Sequence, residues 1–114
     1  HFHRNIQDVQ RESFIEKIYT QKEREYLALH KLNPSTAAGM FSVKEAAAKA
    51  LGRGFDHLSW KDIEIFHNEY GKPYVVLHGK AKELFESLNG TNVHISISHV
   101  KFAAVAQCII EGRE

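Results

Sequence analysis

The sequence predicts an α+β fold in which helices pack against an antiparallel sheet. The stretch from Ala37 to Leu51 is rich in alanine, which favours a helix. Residues Val93 to Ser98 alternate strictly between apolar and polar side chains, as a half-buried strand does. The predicted order is helix, helix, strand, strand, helix, strand, strand. Strands that adjoin one another in such pairs favour antiparallel pairing.

Two helices are predicted in the first half of the chain. Thr20 and Glu23 have the spacing of a capping box, which predicts a helix from there to about His30. Asn33-Pro34-Ser35 is a predicted turn. The alanine-rich helix follows, and Gly52 stands where a left-handed C-cap is expected.

Four strands and a short helix are predicted in the second half, from alternation, turn residues and apolar spacing. The last strand is mostly apolar, so we expect both of its faces to be buried. The predicted segments are a strand from Asp62 to Phe66, a turn over 68–72, a strand from Pro73 to Leu77, a helix from Gly79 to Leu88, and strands over Val93–Ser98 and Phe102–Ile110.

Composition bounds the class of protein. A chain of 114 residues fits one domain over 1–114. A net charge of +1 makes the chain no polycation, so nucleic-acid binding is disfavoured and an anionic partner needs a local patch. A single cysteine, Cys108, excludes a disulfide scaffold and indicates the cytoplasm. No apolar stretch approaches the length of a membrane span. The eight histidines are scattered and form no zinc motif.

The densest chemical signal lies in the alanine-rich helix. Glu45 and Lys49 are four residues apart and share a helix face. A carboxylate beside an ammonium could hold a metal ion and a phosphate together. The alternative is structural: Ser42 and Glu45 have the spacing of a capping box, and Glu45 and Lys49 that of a helix-stabilising pair.

A second signal is the strand that leads to His99. One face carries His94, Ser96 and Ser98, and His99 follows at the strand end, where it could donate to a phosphate oxygen. The alternative is that the two serines are ordinary solvent-facing strand residues.

Taken together, five segments resemble the holo-acyl-carrier-protein synthases of the 4′-phosphopantetheinyl transferase superfamily. The resemblance runs from about Phe14 to Glu111, and the segments occur in the family's order. They are the F-x-x-K-E-A-x-x-K-A-L-G helix over Phe41–Gly52, the L-S-x-x-D-I-E-I strand over Leu58–Ile65, the N-x-x-G-K-P turn over Asn68–Pro73, the L-H-G-x-A helix start over Leu77–Ala81 and the V-x-x-S-I-S-H strand over Val93–His99.

The resemblance implies transfer of the 4′-phosphopantetheine group of coenzyme A to a serine of an acyl carrier protein, with release of 3′,5′-ADP. It implies Mg²⁺ held by Glu45, with Lys49 near the phosphates and the reacting centre. Lys44 and His99 are implied contacts of coenzyme A. The resemblance also implies a homotrimer with active sites between subunits. From the composition, we expect neither a membrane nor a nucleic acid as partner.

The sequence departs from the family in two places. The family opens with a strand bearing G-x-G-x-D, whose aspartate is a second metal ligand; no such motif is present, and the role does not pass to Asp8. We therefore expect the first strand to be missing. Met40 stands where the family often has arginine. The missing aspartate leaves open a non-catalytic relative that binds coenzyme A with an incomplete metal site.

A basic first helix is the family's surface for the acidic carrier protein. Arg4 and Arg11 are the candidates for this contact. The alternative is a solvated face on which neighbouring acidic residues balance the basic ones.

Overall fold

The computed structural model describes residues 13–52, 57–100 and 103–113. Residues 13–18 are helical, and a 3₁₀ turn spans Trp60–Asp62. No helix within these ranges is long and apolar enough to span a membrane. The remaining elements are α1 (Gln21–Leu29), α2 (Pro34–Ala50), β1 (Ile63–His67), β2 (Pro73–Leu77), α3 (Gly79–Ser87), β3 (Gly90–Val100) and β4 (Ala103–Gly112).

Local signals set the ends of the first two helices. The predicted capping box of α1 is confirmed: the Glu23 amide donates to the Thr20 hydroxyl at 3.1 Å, and the Thr20 amide donates to Glu23 Oε1 at 2.9 Å. Helix α2 begins at Pro34, three residues before the predicted start. The Asn33 side chain caps it, and proline suits the first helical position because that N–H has no partner there. Gly52 has φ of +80° after the helix, as predicted.

The four strands form two hairpins. Strand β1 pairs with β2 from Ile63–Leu77 to His67–Pro73, and β3 pairs with β4 in a longer ladder. Within the described ranges these are two separate two-stranded sheets, where one sheet was expected. Alternation and turns predict each hairpin from neighbouring residues, but they carry no information about pairing between hairpins.

The core lies between α2 and the two hairpins. Two apolar clusters share Val75 of β2 as a common neighbour, so the interior is continuous. The cluster near the start of α2 consists of Ile18, Tyr19, Leu27, Met40, Val43 and Ile65. The cluster near its end consists of Ala47, Ala48, Leu51, Leu58, Ile63 and Ala81.

Strand β4 corrects one expectation. Its exposure alternates along the strand, so one face is partly covered and the other is exposed. Val105 and Ile109 point away from the interior and are 58% and 55% exposed. The apolar run predicted burial on both sides, but α2 covers only the side on which Ala106 and Ile110 pack into the core.

Candidate functional site

Helix α2 presents Glu45 and Lys49 to solvent. Both side chains are exposed, and their spacing of four places them on one face. No ion pair joins either of them to another residue in the described ranges. The capping-box alternative is wrong, because Ser42 lies inside the helix and donates to the Ala104 carbonyl at 3.4 Å. The carboxylate and the ammonium are therefore available to a ligand.

His99 lies at the other end of the same helix. Its Nδ1 is 3.0 Å from the Ser35 hydroxyl in the first turn of α2. A β-carbon on Gly39 would lie only 3.2 Å from the Cε1 atom of His99, so glycine lets the strand and the helix come this close. Since Ser35 occupies Nδ1, Nε2 is the ring nitrogen left for a ligand.

A cleft of about 440 Å³ opens beside His99. This volume is in the usual range for small-molecule sites. Lys72 is the only Lys, Arg, Asp or Glu among the described residues that line it. The lining consists of Tyr26, Thr36, Gly39, Met40, His67, Gly71, Lys72, Pro73, Ile95, Ser96, Ile97 and His99.

Glu45 and Lys49 do not line this cleft. Ser35 and Glu45 are ten residues apart on one helix, which is roughly 15 Å along its axis at the usual rise per residue. Met40, where the family often has arginine, is 1% exposed and belongs to the core. The structure thus places the predicted carboxylate and lysine on one part of α2 and the predicted histidine on another.

One wall of the cleft is an aromatic stack. The rings of Tyr26 and His67 are parallel within 3° with centroids 3.9 Å apart, and the tilted ring of His30 lies next to Tyr26 with centroids 4.2 Å apart. Burial, and secondarily the nearby His30, lowers the pKa of His67, which favours the neutral ring. Its buried Nδ1 has no hydrogen-bond partner among the described residues.

Lys44, an implied contact of coenzyme A, is buried in the core and bonded to other parts of the chain. Its side chain is 0% exposed. The ammonium donates to Glu23 Oε1 at 2.9 Å, the Trp60 carbonyl at 2.9 Å and the Ile63 carbonyl at 2.6 Å. An ammonium has three N–H donors, so none remains for a phosphate. Burial lowers the pKa of Lys44, and the Glu23 carboxylate partly offsets this.

The polar groups around this lysine were not predicted from the sequence. The Thr20 hydroxyl donates to Glu64 Oε2 at 2.5 Å, and His78 Nε2 lies 2.9 Å from Glu64 Oε1. The Thr20 amide donates to the Glu23 carboxylate, so a chain of hydrogen bonds connects the half-exposed His78 with the buried pair. Glu64 and His78 lie in two of the segments that resemble the family, but their spacing in the sequence does not indicate the contact.

Metal ligands are sparse in the described part of the chain. No group of three or more His, Cys, Asp and Glu residues there could hold a metal ion. Glu45 offers one exposed carboxylate. This donor set fits Mg²⁺, which commonly takes one or two protein carboxylates and completes its shell with water and substrate phosphates. Arg4, Arg11 and Asp8 lie outside the described residues.

Comparison with known proteins identifies the class. Residues 2–101 match the family model of the 4′-phosphopantetheinyl transferase superfamily. The chain is 47% identical over 104 residues to the holo-[acyl-carrier-protein] synthase of Caldanaerobacter subterraneus subsp. tengcongensis, covering 91% of this chain and 82% of that protein. The chain therefore belongs to the 4′-phosphopantetheinyl transferase superfamily and, within it, to the holo-[acyl-carrier-protein] synthases.

Solved structures agree with this assignment. The holo-[acyl-carrier-protein] synthase of Helicobacter pylori, in complex with coenzyme A, superposes with a TM-score of 0.74 at 32% identity, over 87% of this chain and 82% of that one. The Bacillus anthracis synthase, in complex with coenzyme A (3′,5′-ADP), gives 0.70 at 34% identity, over 92% and 85%. The predicted fold class is confirmed.

Proposed function

We propose that this protein transfers the 4′-phosphopantetheine group of coenzyme A to a serine of an acyl carrier protein and releases 3′,5′-ADP. The observation that carries the proposal is the face of α2 on which Glu45 and Lys49 stand exposed, in a chain of this family. In this reaction the serine oxygen attacks the β-phosphorus of coenzyme A. The bond from that phosphorus to the bridging oxygen breaks, and the oxygen leaves with 3′,5′-ADP.

Lys49, His99 and Glu45 have different roles in this proposal, which follow from the charge and hydrogen-bonding capacity of each side chain. The Lys49 ammonium offsets the negative charge that grows on the pyrophosphate and the leaving group. His99 Nε2 donates to a phosphate of coenzyme A, with the ring held by Ser35. The serine proton needs a base, and either the Glu45 carboxylate or a water that it holds can accept it.

Mg²⁺ is the proposed cofactor. Glu45 is its ligand among the described residues, and the metal ion would neutralise charge on the phosphates. A second protein carboxylate is not assigned.

A homotrimer is part of the proposal. Two features support completion of the site between subunits. Glu45 and Lys49 lie outside the cleft that His99 lines, and the outer face of β4 exposes both Val105 and Ile109. A partner subunit on this face would bury that apolar surface.

The carrier-protein surface and the remaining expectations stay predictions. Arg4 and Arg11 are the proposed contacts to the acidic carrier. We propose one domain over 1–114, since the family model covers residues 2–101. The cytoplasmic location expected from the single cysteine stays a prediction.

The test is intact-mass spectrometry of an apo carrier protein incubated with coenzyme A, Mg²⁺ and this protein. The carrier should gain the mass of one phosphopantetheine group. Glu45→Gln should lose the gain, whereas Glu83→Gln, the same change on the exposed face of α3, should keep it. A wild-type protein that leaves the carrier unmodified contradicts the proposal.

The second candidate is a non-catalytic relative that binds coenzyme A. The observation that favours it is the single carboxylate at the proposed metal site, with no cluster of ligands in the described residues. This candidate predicts calorimetric binding of coenzyme A with no mass gain on the carrier. Transfer by the wild-type protein would exclude it.

A further inference from the structure

We infer that the Glu23–Lys44 pair is a positioning device that fixes the rotation of α2 about its axis, and with it the direction of Glu45 and Lys49. The inference rests on the proposed function, because the direction of Glu45 and Lys49 matters for activity only if they bind the metal ion and the phosphates. It replaces the expectation that Lys44 itself binds coenzyme A. The pair touches no ligand and acts only through the helix.

Stability alone does not account for this pair. Both side chains are 0% exposed, and moving two charges out of water costs as much as their attraction returns in many proteins. Apolar residues of similar volume often serve a core equally well or better. A hydrogen-bonded ion pair restricts the orientation of the groups that carry it, because a hydrogen bond weakens steeply with angle whereas apolar contact does not.

The geometry ties α2 to three other elements. The ammonium of Lys44 is bound by Glu23 of α1, by the Trp60 carbonyl in the 3₁₀ turn and by the Ile63 carbonyl at the start of β1. The second carboxylate oxygen of Glu23 accepts from the Ile65 amide at 2.9 Å. Rotating α2 by one residue position, about 100°, would withdraw the ammonium from all its acceptors at once.

The rest of the buried face of α2 cannot set the rotation so sharply. It consists of small or flexible apolar groups, among them Met40, Val43 and Ala47. A small tilt or turn costs these apolar contacts less than it costs a hydrogen bond, which weakens steeply with angle. Glu45 is the next residue after the anchored lysine, so a small rotation at Lys44 moves its carboxylate directly.

The test compares a double variant with a matched control. Glu23→Gln/Lys44→Met removes both charges and so leaves no buried charge unpaired. Val43→Ala is the control, because Val43 is the neighbouring residue, is 0% exposed and makes no polar contact. Two quantities are measured below the unfolding temperature: the Mg²⁺ concentration for half-maximal transfer, and the backbone amide chemical shifts of residues 45–49 without ligand.

The double variant should need at least tenfold more Mg²⁺, with kcat at saturating Mg²⁺ within threefold of wild type, and its amides 45–49 should shift. Val43→Ala should match wild type in its Mg²⁺ requirement and should shift these amides less than the double variant does. Equal behaviour of the two variants would overturn the inference.

The same experiment separates this inference from the proposed function. If the wild-type protein does not transfer, the proposed function fails, and the amide shifts alone decide whether the pair sets the rotation of α2. If the double variant does not fold, Glu23→Gln alone replaces it, with an expected rise of at least threefold in the Mg²⁺ requirement. An unchanged requirement and unchanged shifts would overturn the inference in that variant too.

Discussion

Lys44 and Glu45 are neighbours in one motif and lie in opposite environments. The lysine is 0% exposed and fully hydrogen-bonded within the core, whereas the glutamate is exposed and makes no ion pair with a described residue. A helix turns about 100° per residue, so adjacent charges can serve the interior and the solvent. The comparison teaches that a functional motif can contain its own structural support, and that charge alone does not identify a ligand-binding residue.

The largest expected effect is a loss of stability when the buried lysine is replaced. Lys44→Met leaves the Glu23 carboxylate buried without its cation, and removing one partner of a buried pair costs about 3–5 kcal/mol. Urea or thermal unfolding measures the loss. An unfolding free energy within about 0.5 kcal/mol of wild type would show that the pair is not buried as described.

The next largest effect is a loss of transfer activity when the exposed glutamate is replaced. Glu45→Gln should lower transfer about 100-fold, which corresponds to about 2.7 kcal/mol of activation free energy. Its unfolding free energy should stay within about 0.5 kcal/mol of wild type, because an exposed side chain without partners supports no packing. Mass-spectrometric transfer rates and urea unfolding give the two numbers. A large loss of stability would contradict the contrast with Lys44.

The stability of the core beside the Glu23–Lys44 pair should depend on pH through Tyr19. Burial, with the nearby Glu23 charge, raises the pKa of Tyr19 to about 12 from 10.0. Between these values the unfolded tyrosine loses its proton and the folded one keeps it, so stability present below pH 10 is lost as pH rises towards 12. The contribution is of the order of 2 kcal/mol.

Tyr19→Phe removes this titration, so the difference between the two proteins isolates it from other groups. The wild-type protein should lose stability more steeply than the variant over that interval, in urea unfolding followed at each pH. Parallel curves for the two proteins would show that the Tyr19 hydroxyl, which donates to the Ala37 carbonyl at 2.8 Å, is not held as described.

The smallest effect concerns the cleft. His99→Ala should weaken coenzyme A binding roughly tenfold, about 1.4 kcal/mol, through loss of one hydrogen bond to a charged group. His94→Ala is the control, because His94 lies on the opposite face of β3 and is 59% exposed. Calorimetric titration compares the two. Equal losses of coenzyme A affinity in the two variants would show that the coenzyme does not bind at His99.

Sequence patterns predicted what neighbouring residues determine. The strand Pro73–Leu77 was predicted with its observed ends, and Glu45 and Lys49 share the predicted face. The pairing of Lys44 with Glu23, 21 residues away, depends on how three elements pack, and no local pattern encodes it. The exposed face of β4 was missed for the same reason, since an apolar run does not say which side a helix will cover.

Gly39 links packing to chemistry in a way that variation among related sequences should reveal. The space for its missing side chain is taken by the Ile97 methyl, 3.3 Å away, and by the His99 ring. Any larger residue here would have to be matched by a smaller one on the strand. Positions 39 and 99 should therefore change together: where the histidine is kept, glycine should predominate at position 39.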